Sequence, residues 1–254
     1  MKISLVMITK NEEKNLPESL ESVRDLVDEI IVVDSGSDDN TVKIAQNFGA
    51  KVFQRNFDSF SNQKNYALSL ASNEWVLHLD ADEVLSEQLK NEIKNTLDRT
   101  EYDGFYLVRA NFFLKKQMKH AGLGREARLR LAKKSLSKYV GGIIHEELSV
   151  EGRLGYMNNL FYHYTCQTLD NYFIKFDKYT TLGAVKMYEN NKKFYITDLF
   201  FRPVIEFVKR YALRMGFLDG IEGFIWAALG MYYSFIKYVK LWQLIKAKTN
   251  NQNR

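Results

Sequence analysis

Three short clusters of polar and acidic residues are the part of this sequence best suited to chemistry. They are Thr9–Glu12, Asp34–Asp39 and Asp80–Glu83, and each follows an apolar run with the length of a buried strand. In an open parallel α/β sheet, ligands bind beyond the carboxyl ends of the strands. We therefore expect the clusters to line one crevice, where their carboxylates and hydroxyls suit a ribose, a base, or a divalent cation that bridges to phosphate.

The sharpest feature is the pair of carboxylates in Asp80-Ala81-Asp82. Residues i and i+2 at a strand end point in the same direction, and two carboxylates so placed disfavour each other's ionisation unless a cation or solvent lies between them. A bound Mg²⁺ or Mn²⁺ would neutralise a diphosphate leaving group. The alternative is a solvated acidic turn that caps the next helix, and the two matching clusters upstream favour the metal.

The elements that must position these clusters alternate between strands and helices. The predicted strands are Ile3–Thr9, Glu29–Asp34, Lys51–Gln54 and Glu74–Leu79, and the predicted helices are Asn11–Leu26, Thr41–Phe48, Ser61–Ala71 and Ser86–Leu97. This alternation is typical of an α/β fold with a Rossmann-like, mostly parallel sheet flanked by helices. No glycine-rich dinucleotide motif or P-loop follows the first strand, which disfavours both of those nucleotide-binding modes.

Beyond residue 100 the pattern changes. We predict a strand over Gly104–Phe113, a mobile loop over the Arg- and Gly-rich segment Met118–Lys134, a short strand near Leu160–Tyr164, and helices near 168–190, 197–214 and 217–247. A soft boundary near residue 195 divides the chain into residues 1–195, which carry the sheet, and a basic, aromatic helical region, 196–254.

Composition narrows the class of protein. The chain has 254 residues, 46% of them apolar, which is enough to bury a core and excludes a disordered chain. A single cysteine, Cys166, excludes a disulfide framework and a multi-cysteine zinc site, and it favours a reducing compartment. The apolar run that follows Met1-Lys2 has strand length and no small-residue cleavage site, so no secretory signal is predicted.

The C-terminal region indicates an anionic partner. Residues 200–254 hold nine Lys or Arg and three Asp or Glu, whereas the rest of the chain is nearly neutral and has no nucleic-acid motif. This disfavours nucleic acid and favours a membrane surface. Phe224–Ile236 is uncharged for 13 residues, short of the roughly 20 that a spanning helix needs. We predict a helix lying on an anionic leaflet; the alternative is an ordinary helix packed on the catalytic domain.

Residues 1–100 resemble family 2 glycosyltransferases of the GT-A fold. The resemblance is carried by ISLVMITKNE at Ile3–Glu12, IVVDSGSDDNT at Ile31–Thr41, Gln63-Lys64-Asn65 and LHLDADE at Leu77–Glu83. It implies that residues 1–195 form a nucleotide-sugar-binding and catalytic domain, that the donor is a UDP-linked hexose, and that the cofactor is Mg²⁺ or Mn²⁺.

The resemblance also implies roles for individual residues. Thr9, Glu12 and Asp34 face the uracil and ribose, and Asp82 is the metal ligand of first choice. The donor-binding set is Thr9, Asn11, Glu12, Asp34, Ser35, Lys64, Asp80 and Arg128, and the metal-binding set is Asp82, Asp80 and His163. Many relatives read Asp-Asp-Gly-Ser where this sequence has Ser35 at the second position, which removes a carboxylate directed at uracil.

A less specific resemblance continues almost to the end of the chain. His145-Glu146-Glu147, His163-Tyr164 and Gly216–Gly223 are similar to the bacterial subgroup that adds glucose to the lipopolysaccharide inner core. It implies an acceptor that is lipopolysaccharide core or another lipid-linked saccharide. It also implies a cytoplasmic enzyme, peripheral on the inner face of the cytoplasmic membrane.

An inverting transfer needs a base that takes the proton of the acceptor hydroxyl. By the resemblance that base is Glu146, with Glu147 second and His145 orienting Glu146 or contacting the acceptor. The alternative for both glutamates is a solvated loop. His163 has the alternative of a satisfied structural histidine. The loop arginines Arg125, Arg128 and Arg130 contact a diphosphate or an anionic acceptor, or they form a solvated basic loop.

The leading hypothesis is thus an inverting, metal-dependent glycosyltransferase that moves a hexose, with glucose favoured. A nucleotidyltransferase that makes a nucleotide sugar would use the same fold and metal, but it predicts a Gly-rich phosphate loop after the first strand. A third hypothesis is a membrane-associated binding module with a degenerate site, which the presence of Asp80, Asp82 and Glu146 disfavours.

Overall fold

The computed structural model of the chain describes residues 1–141, 146–166 and 168–252. The chain divides into two compact units, of which the first comprises residues 1–110 and 125–163 and the second residues 111–124 and 164–254. The predicted boundary at residue 195 lies inside the second unit, between two of its helices. The functional division into 1–195 and 196–254 stays a prediction.

The secondary structure begins with alternating strands and helices, as predicted. The strands are β1 (Ile3–Thr9), β2 (Glu29–Asp34), β3 (Lys51–Gln54), β4 (Trp75–His78), β5 (Glu83–Leu85), β6 (Gly104–Phe113), β7 (Lys116–Gln117), β8 (Glu126–Lys133), β9 (Ser137–Gly141), β10 (Glu146–Val150) and β11 (Leu154–Cys166). The helices are α1 (Leu16–Glu21), α2 (Thr41–Asn47), α3 (Phe60–Leu70), α4 (Glu87–Leu97), α5 (Leu169–Glu189), α6 (Asp198–Val208) and α7 (Gly220–Gln252). Short helical turns at Lys134–Leu136, Lys209–Leu213 and Gly216–Asp219 complete the described elements.

The main sheet has a parallel half and an antiparallel half. Its strand order is β3-β2-β1-β4-β8-β6-β11-β5, with β7 on β6. β1 runs parallel to β2 and β4, and β2 runs parallel to β3. β8 is antiparallel to β4 and β6, β5 is antiparallel to β11, and β9 and β10 form a separate hairpin. The parallel half brings the ends of β1, β2 and β4 to one edge of the sheet.

Alternate residues of the parallel strands pack on opposite faces of the sheet. Leu5 of β1 joins the core beneath α1 and α4 through Leu16 and Ile93, all three fully buried. Val6, the next residue of β1, faces a second core with Ala67 of α3. Successive side chains of a strand point to opposite faces, so a continuous apolar run suits a sheet that is covered on both sides. The predicted α/β sheet flanked by helices is confirmed.

The prediction of a mobile loop over Met118–Lys134 is wrong. Glu126–Lys133 forms β8, which lies between β4 and β6. Leu131 of β8 is fully buried and pairs with Leu77 and Phe105. The Arg and Gly content of the segment suggested a loop. It hid the alternation of Arg128 and Arg130 with Leu129 and Leu131, which is typical of a strand.

The predicted terminal helices are confirmed as α5, α6 and α7 of the second unit. Leu241 of α7 is fully buried and packs with Ala184 of α5 and Leu199 of α6. Helix α7, of which residues 224–248 were predicted to lie on a membrane, therefore has a packed side within its own unit. Among the described residues, no helix combines the length and the apolar content that crossing a bilayer would require.

Candidate active site

The loop after β2 is organised by Asp34. Thr9 pairs with Asp34 in the parallel register and donates its hydroxyl to Asp34 Oδ1 at 2.9 Å. The same carboxylate accepts the backbone N–H groups of Gly36 at 2.9 Å and Ser37 at 2.7 Å, together with the Ser37 hydroxyl. Asp34 is fully buried, and a carboxylate has about four acceptor sites. A ligand that reaches Asp34 must therefore exchange one of these bonds.

The residues after β1 bond to the same loop. Asn11 has a φ of 56°, a left-handed conformation that asparagine tolerates, and its side-chain oxygen accepts the N–H of Asp38 at 2.9 Å. The N–H of Glu12 donates to the Thr41 hydroxyl at 2.8 Å. These bonds explain why α1 begins only at Leu16 rather than at the predicted Asn11. The structure thus brings the first two predicted clusters together.

Ser35 and Lys64 connect this loop to α3. The Ser35 hydroxyl accepts a hydrogen bond from Gln63 at 3.0 Å, and Gln63 is fully buried. Lys64, the next residue of α3, is only 7% exposed. Its ammonium lies 2.9 Å from Asp80 Oδ1 and 3.0 Å from Glu146 Oε1. The buried Lys64 therefore joins Asp80 of the segment Asp80-Ala81-Asp82, which we call the D-x-D motif, to the predicted base Glu146.

The charges of this centre support one another. Burial opposes the charged form of Lys64, but Asp80, Tyr139 and Glu146 together outweigh it and hold the pKa of Lys64 above its ordinary value. Burial likewise opposes the charged form of Asp80, and Lys64 and Arg130 together hold the pKa of that carboxyl well below its usual range. Asp80 is therefore a carboxylate, and Lys64 an ammonium, at physiological pH.

Arg130 of β8 clamps the D-x-D segment. Its guanidinium donates to Asp80 Oδ2 at 2.8 Å and to Glu83 Oε1 at 2.5 Å. Glu83 is fully buried, and its other oxygen accepts the N–H of Asp80 at 3.0 Å. Arg109 lies 3.6 Å from the same glutamate. Glu83 was predicted only as a member of the Asp80–Glu83 cluster, with no role of its own, Arg109 was absent from the predicted site, and Arg130 was assigned to a loop.

Arg128 lies on β8 as well, but it does not reach the D-x-D motif through any described contact. Its side chain is 51% exposed and bonds to Glu126 at 2.7 Å. Its assignment to the donor stays a prediction. The alternation of Arg128 and Arg130 with leucines was the signal that both lie on a strand, where their surroundings are decided by strand pairing.

Asp82 and His163 form a second pair at the site. β5 and β11 are antiparallel with His163 opposite Glu83, which places His163 Nε2 3.6 Å from Asp82 Oδ2. This separation suits two ligands of one ion at bond lengths of about 2.1 Å. Within the described residues no group of three His, Cys, Asp or Glu side chains could hold a metal. The pair fits Mg²⁺ or Mn²⁺, which protein carboxylates and substrate phosphates commonly hold together with water.

The predicted base lies at the start of β10. Glu146 pairs with Gly141 across the hairpin and directs its carboxylate to Lys64. Glu147 is exposed, because adjacent side chains of a strand point to opposite faces. The prediction of a loop for these glutamates is wrong, since both belong to a strand. His145, the third predicted catalytic residue, lies outside the described residues.

A buried histidine completes the surroundings of Lys64. His78 ends β4 and is 2% exposed, with its ring 5.4 Å from that of Tyr139. Burial, reinforced by Arg130 and Lys64, lowers its pKa to about 3. Neither ring nitrogen has a hydrogen-bond partner among the described residues. A small cavity lined by Lys64, His78, Asp80 and Tyr139 adjoins it.

Several known proteins are similar to this chain. An uncharacterised glycosyltransferase of Rickettsia typhi is 30% identical over 96% of this chain and 87% of its own length. The lipopolysaccharide core biosynthesis glycosyltransferase LpsC of Rhizobium meliloti is 28% identical over 98% of this chain and 95% of its own length. A crystal structure of residues 1–349 of S. aureus TarS with UDP-GlcNAc aligns with a TM-score of 0.49 and 18% identity. That alignment covers 66% of this chain and spans 60% of the TarS chain.

The sequence model of the family described as "Glycosyl transferase family 2" matches residues 4–145, more than half of the chain. The match includes the three polar clusters, Lys64, Asp80, Asp82 and Arg130. The chain therefore belongs to glycosyltransferase family 2, and it is an enzyme of the GT-A fold.

Proposed function

We propose that this enzyme transfers a hexose, with glucose favoured, from a UDP-sugar to a hydroxyl of lipopolysaccharide core or another lipid-linked saccharide, with inversion at the anomeric carbon. The observation that carries the proposal is the pair of ion pairs made by Lys64: its Nζ lies 2.9 Å from Asp80 Oδ1 and 3.0 Å from Glu146 Oε1. An inverting displacement needs a leaving-group site and a base on opposite sides of one carbon. Lys64 contacts both Asp80, which we assign to the side of the leaving diphosphate, and Glu146, which we assign as the base.

The proposed step is a direct displacement. Glu146 accepts the proton of the acceptor hydroxyl while that oxygen forms a bond to the anomeric carbon. The bond from this carbon to the diphosphate breaks on the opposite side, and UDP leaves with the bonding electron pair. Lys64 and Arg130 keep Asp80 in position throughout, and Lys64 also fixes the carboxylate of Glu146, so that little reorganisation is needed at the moment of reaction.

A divalent cation is the proposed cofactor. Asp82 and His163 would hold it, since they are 3.6 Å apart; Asp82 lies two residues beyond Asp80, and His163 lies opposite Glu83 in the pairing of β11 with β5. When bound, the cation would supply positive charge for the leaving diphosphate. The remaining coordination positions would fall to donor oxygens and water, as is usual for Mg²⁺ sites.

The acceptor class is proposed from the relatives. LpsC, whose name assigns it to lipopolysaccharide core biosynthesis, is similar over nearly the whole chain, including the second unit. A lipid-linked acceptor would place the enzyme at the cytoplasmic face of the inner membrane, as a peripheral protein in contact with anionic lipid. The basic charge of residues 200–254 supports this location.

The two adjacent glutamates of β10 provide the test of this proposal. Glu146→Gln removes the base and keeps the size of the side chain, so the transfer rate should fall on the order of 10²-fold or more. Glu147→Gln changes the same charge on the exposed side of the strand and should change the rate less than about twofold. The measurements are UDP release with a saccharide acceptor, and UDP binding by calorimetry in the presence of Mn²⁺.

Retained UDP binding with lost transfer in Glu146→Gln alone supports the assignment. Equal losses in both variants, or a matching loss of UDP affinity in Glu146→Gln, would show that this strand has a structural role. A folded wild-type enzyme that neither binds nor hydrolyses a nucleotide sugar with Mn²⁺ would refute the proposed function. Release of pyrophosphate from a nucleoside triphosphate and a sugar phosphate would move the assignment to a nucleotidyltransferase.

A further inference from the structure

Exposed apolar side chains are concentrated in one segment of the second unit. Among the described residues, thirteen of the 25 exposed large apolar side chains lie between Tyr195 and Phe224. Surface apolar residues are normal when they are scattered singly, but a contiguous group marks an interaction surface. The concentration lies almost entirely before residues 224–248, where the sequence predicted the membrane contact.

The outer side of α6 carries the first part of this surface. Phe200, Phe201, Val204, Ile205 and Val208 are 45–68% exposed. Their spacing at i, i+1, i+4, i+5 and i+8 places them on one arc of about 140° around a helix with 3.6 residues per turn. The opposite side of α6 is occupied: Asp198 and Pro203 are buried, and Leu199 packs with α5 and α7.

The connection from α6 to α7 continues the surface. Leu213, Phe217, Leu218 and Ile221 are 50–76% exposed. The ring of Tyr211 lies 5.4 Å from Phe207 of α6 and 6.2 Å from Phe217 of the connection. Aromatic contacts therefore join the two parts into one surface. We name the outer side of α6 and the exposed residues of 213–221 the docking face.

The exposed charged side chains of residues 190–224, the segment that carries the docking face, are all basic. Lys192, Lys193, Lys209 and Arg214 are exposed. The acidic side chains between residues 190 and 224 are engaged: Asp198 bonds to Arg202, Glu206 to Arg210, Asp219 to the N–H groups of residues 119 and 120, and Glu222 to Lys116. An exposed apolar surface on a segment whose exposed charges are all basic is complementary to the interface of an anionic bilayer.

We infer that the docking face binds anionic lipid headgroups and inserts its aromatic and aliphatic side chains into the interface of the bilayer. The inference rests on the proposed function only in that a lipid-linked acceptor needs an enzyme at a membrane. It changes the predicted contact, because the membrane surface moves from residues 224–248 to α6 and the connection that follows it. The distal part of α7 then has a supporting role within the second unit.

A second copy of the chain fits this surface less well. Two docking faces brought together would oppose their own cations, because the faces carry exposed lysine and arginine and no exposed acidic side chain among the described residues of 190–224. Like charges at an interface disfavour association. Anionic lipid relieves this repulsion and accepts the apolar side chains at once.

The test is sedimentation of the full-length protein with vesicles of phosphatidylcholine, with and without phosphatidylglycerol. Phe201→Glu combined with Ile205→Glu places two carboxylates on one side of α6 and should weaken binding to anionic vesicles about tenfold or more. Trp242→Glu is the matched control: the residue is 41% exposed on distal α7, and its variant should bind within about twofold of the wild type. Lys209→Glu with Arg214→Glu should also weaken binding, and added salt should reduce the wild-type affinity.

Several results would overturn the inference. They are equal binding to neutral vesicles, an equal loss in Trp242→Glu, or a wild-type dimer that binds no vesicles and that the α6 variant dissociates. If the α6 variant unfolds, the Lys209 and Arg214 variant decides alone. UDP titration of the same samples separates the two proposals. Vesicle binding without UDP binding supports the docking face and contradicts the proposed function. UDP binding without vesicle binding supports the proposed function and contradicts the docking face.

Discussion

At the scale of single residues, the site is built around buried charge pairs. Lys64 and Arg130 share Asp80, one on each oxygen of its carboxylate. Buried charges are tolerated only when they are paired and hydrogen-bonded. The resulting geometry leaves Asp80 held by protein cations, whereas Asp82 lies beside His163. The two carboxylates of the D-x-D motif therefore have different surroundings and, we propose, different roles.

We predict that Asp82→Ala removes the metal-dependent part of UDP binding. The reason is that Asp82 and His163 are the proposed cation ligands, so His163→Ala should act in the same way. Calorimetric titration with UDP, with and without Mn²⁺, measures the effect, and the titration without Mn²⁺ is the control. An unchanged stimulation by Mn²⁺ would refute the ligand assignment. If the enzyme bound ADP or GDP more tightly than UDP, Ser35 would be the first residue to test as the cause, because it replaces a carboxylate directed at uracil.

Arg130 and Arg128 offer a matched pair for stability. Arg130→Met removes the cation shared by Asp80 and the fully buried Glu83, and breaking a buried pair costs about 3–5 kcal/mol. Arg128→Met affects an ion pair whose arginine is half exposed and should cost less than about 1 kcal/mol. Urea unfolding of both variants measures the difference. Equal destabilisation would contradict the clamp role of Arg130.

At the scale of elements, polar side chains fix how the parallel strands start. Glu29 begins β2 and accepts hydrogen bonds from Ser4 of β1 at 2.6 Å, from Lys51 of β3 at 2.7 Å, and from the N–H and hydroxyl of Ser72 at 2.8 Å. One carboxylate thus ties together three neighbouring strands and the loop before β4. Burial opposes its charge, but these bonds outweigh burial and lower the pKa of Glu29 from 4.5 to about 2.

This pKa predicts a pH-dependent contribution to folding. A carboxyl whose folded pKa is depressed stabilises the protein above its unfolded pKa and loses that effect as pH falls through the folded value. Glu29→Gln should therefore lower the free energy of unfolding by about 3 kcal/mol at pH 7. The difference from wild type should disappear between pH 4.5 and about 2. Urea unfolding across this range, with exposed Glu21→Gln as the control, measures it; a difference independent of pH would exclude the linkage.

The glycines and the aspartate of the segment Gly216–Gly223 are also explained at this scale. A Cβ on Gly223 would lie 1.9 Å from the carbonyl oxygen of Gly216, so the start of α7 can approach the preceding turn only with glycine there. The buried Asp219 accepts the N–H groups of Lys119 and His120 at 3.1 and 2.8 Å. The segment that carried part of the subgroup resemblance thus has a structural task within the second unit.

At the scale of the whole molecule, the proposed chemistry and the proposed membrane contact lie in different units of the chain. The site residues Thr9 to His163 belong to the first unit, and the docking face belongs to the second. Membrane binding would then raise the local concentration of a lipid-linked acceptor without changing the donor site, which is an effect of tethering rather than of catalysis.

We therefore predict that the Phe201→Glu and Ile205→Glu variant loses activity only on membranes. Transfer to an acceptor embedded in anionic vesicles should fall about tenfold, because vesicle binding is lost. Transfer to the same acceptor in detergent, and hydrolysis of the donor, should be unchanged. UDP release in the three assays measures this. An equal loss in detergent would mean that the substitutions damage the enzyme itself.

The sequence by itself determined the parallel half of the sheet and predicted that polar side chains gather at one edge of it. Continuous apolar runs such as Ile3–Thr9 and Glu29–Asp34 specify buried strands locally, and parallel strands bring their polar ends to one edge whatever follows in the chain. That is why Thr9, Asp34 and Asp80 were expected at one edge of the sheet, whereas Lys64, on a helix, was expected at the site only from the family resemblance. Family membership was likewise carried by local motifs.

Only the tertiary structure decided which charges meet. Arg130 and Arg128 are two residues apart and look alike in sequence, yet only Arg130 reaches Asp80, because the pairing of β8 with β4 and β6 sets its surroundings. Glu146 and Glu147 are likewise adjacent and alike in sequence, yet only Glu146 of the two contacts Lys64, because neighbouring side chains of β10 point to opposite faces. The face of α6 that stays exposed was equally beyond the sequence. Asp198, Arg202 and Glu206 form a charged stripe at i, i+4 and i+8, and such a pattern predicts that the apolar side packs on a core, whereas in the structure that side is exposed.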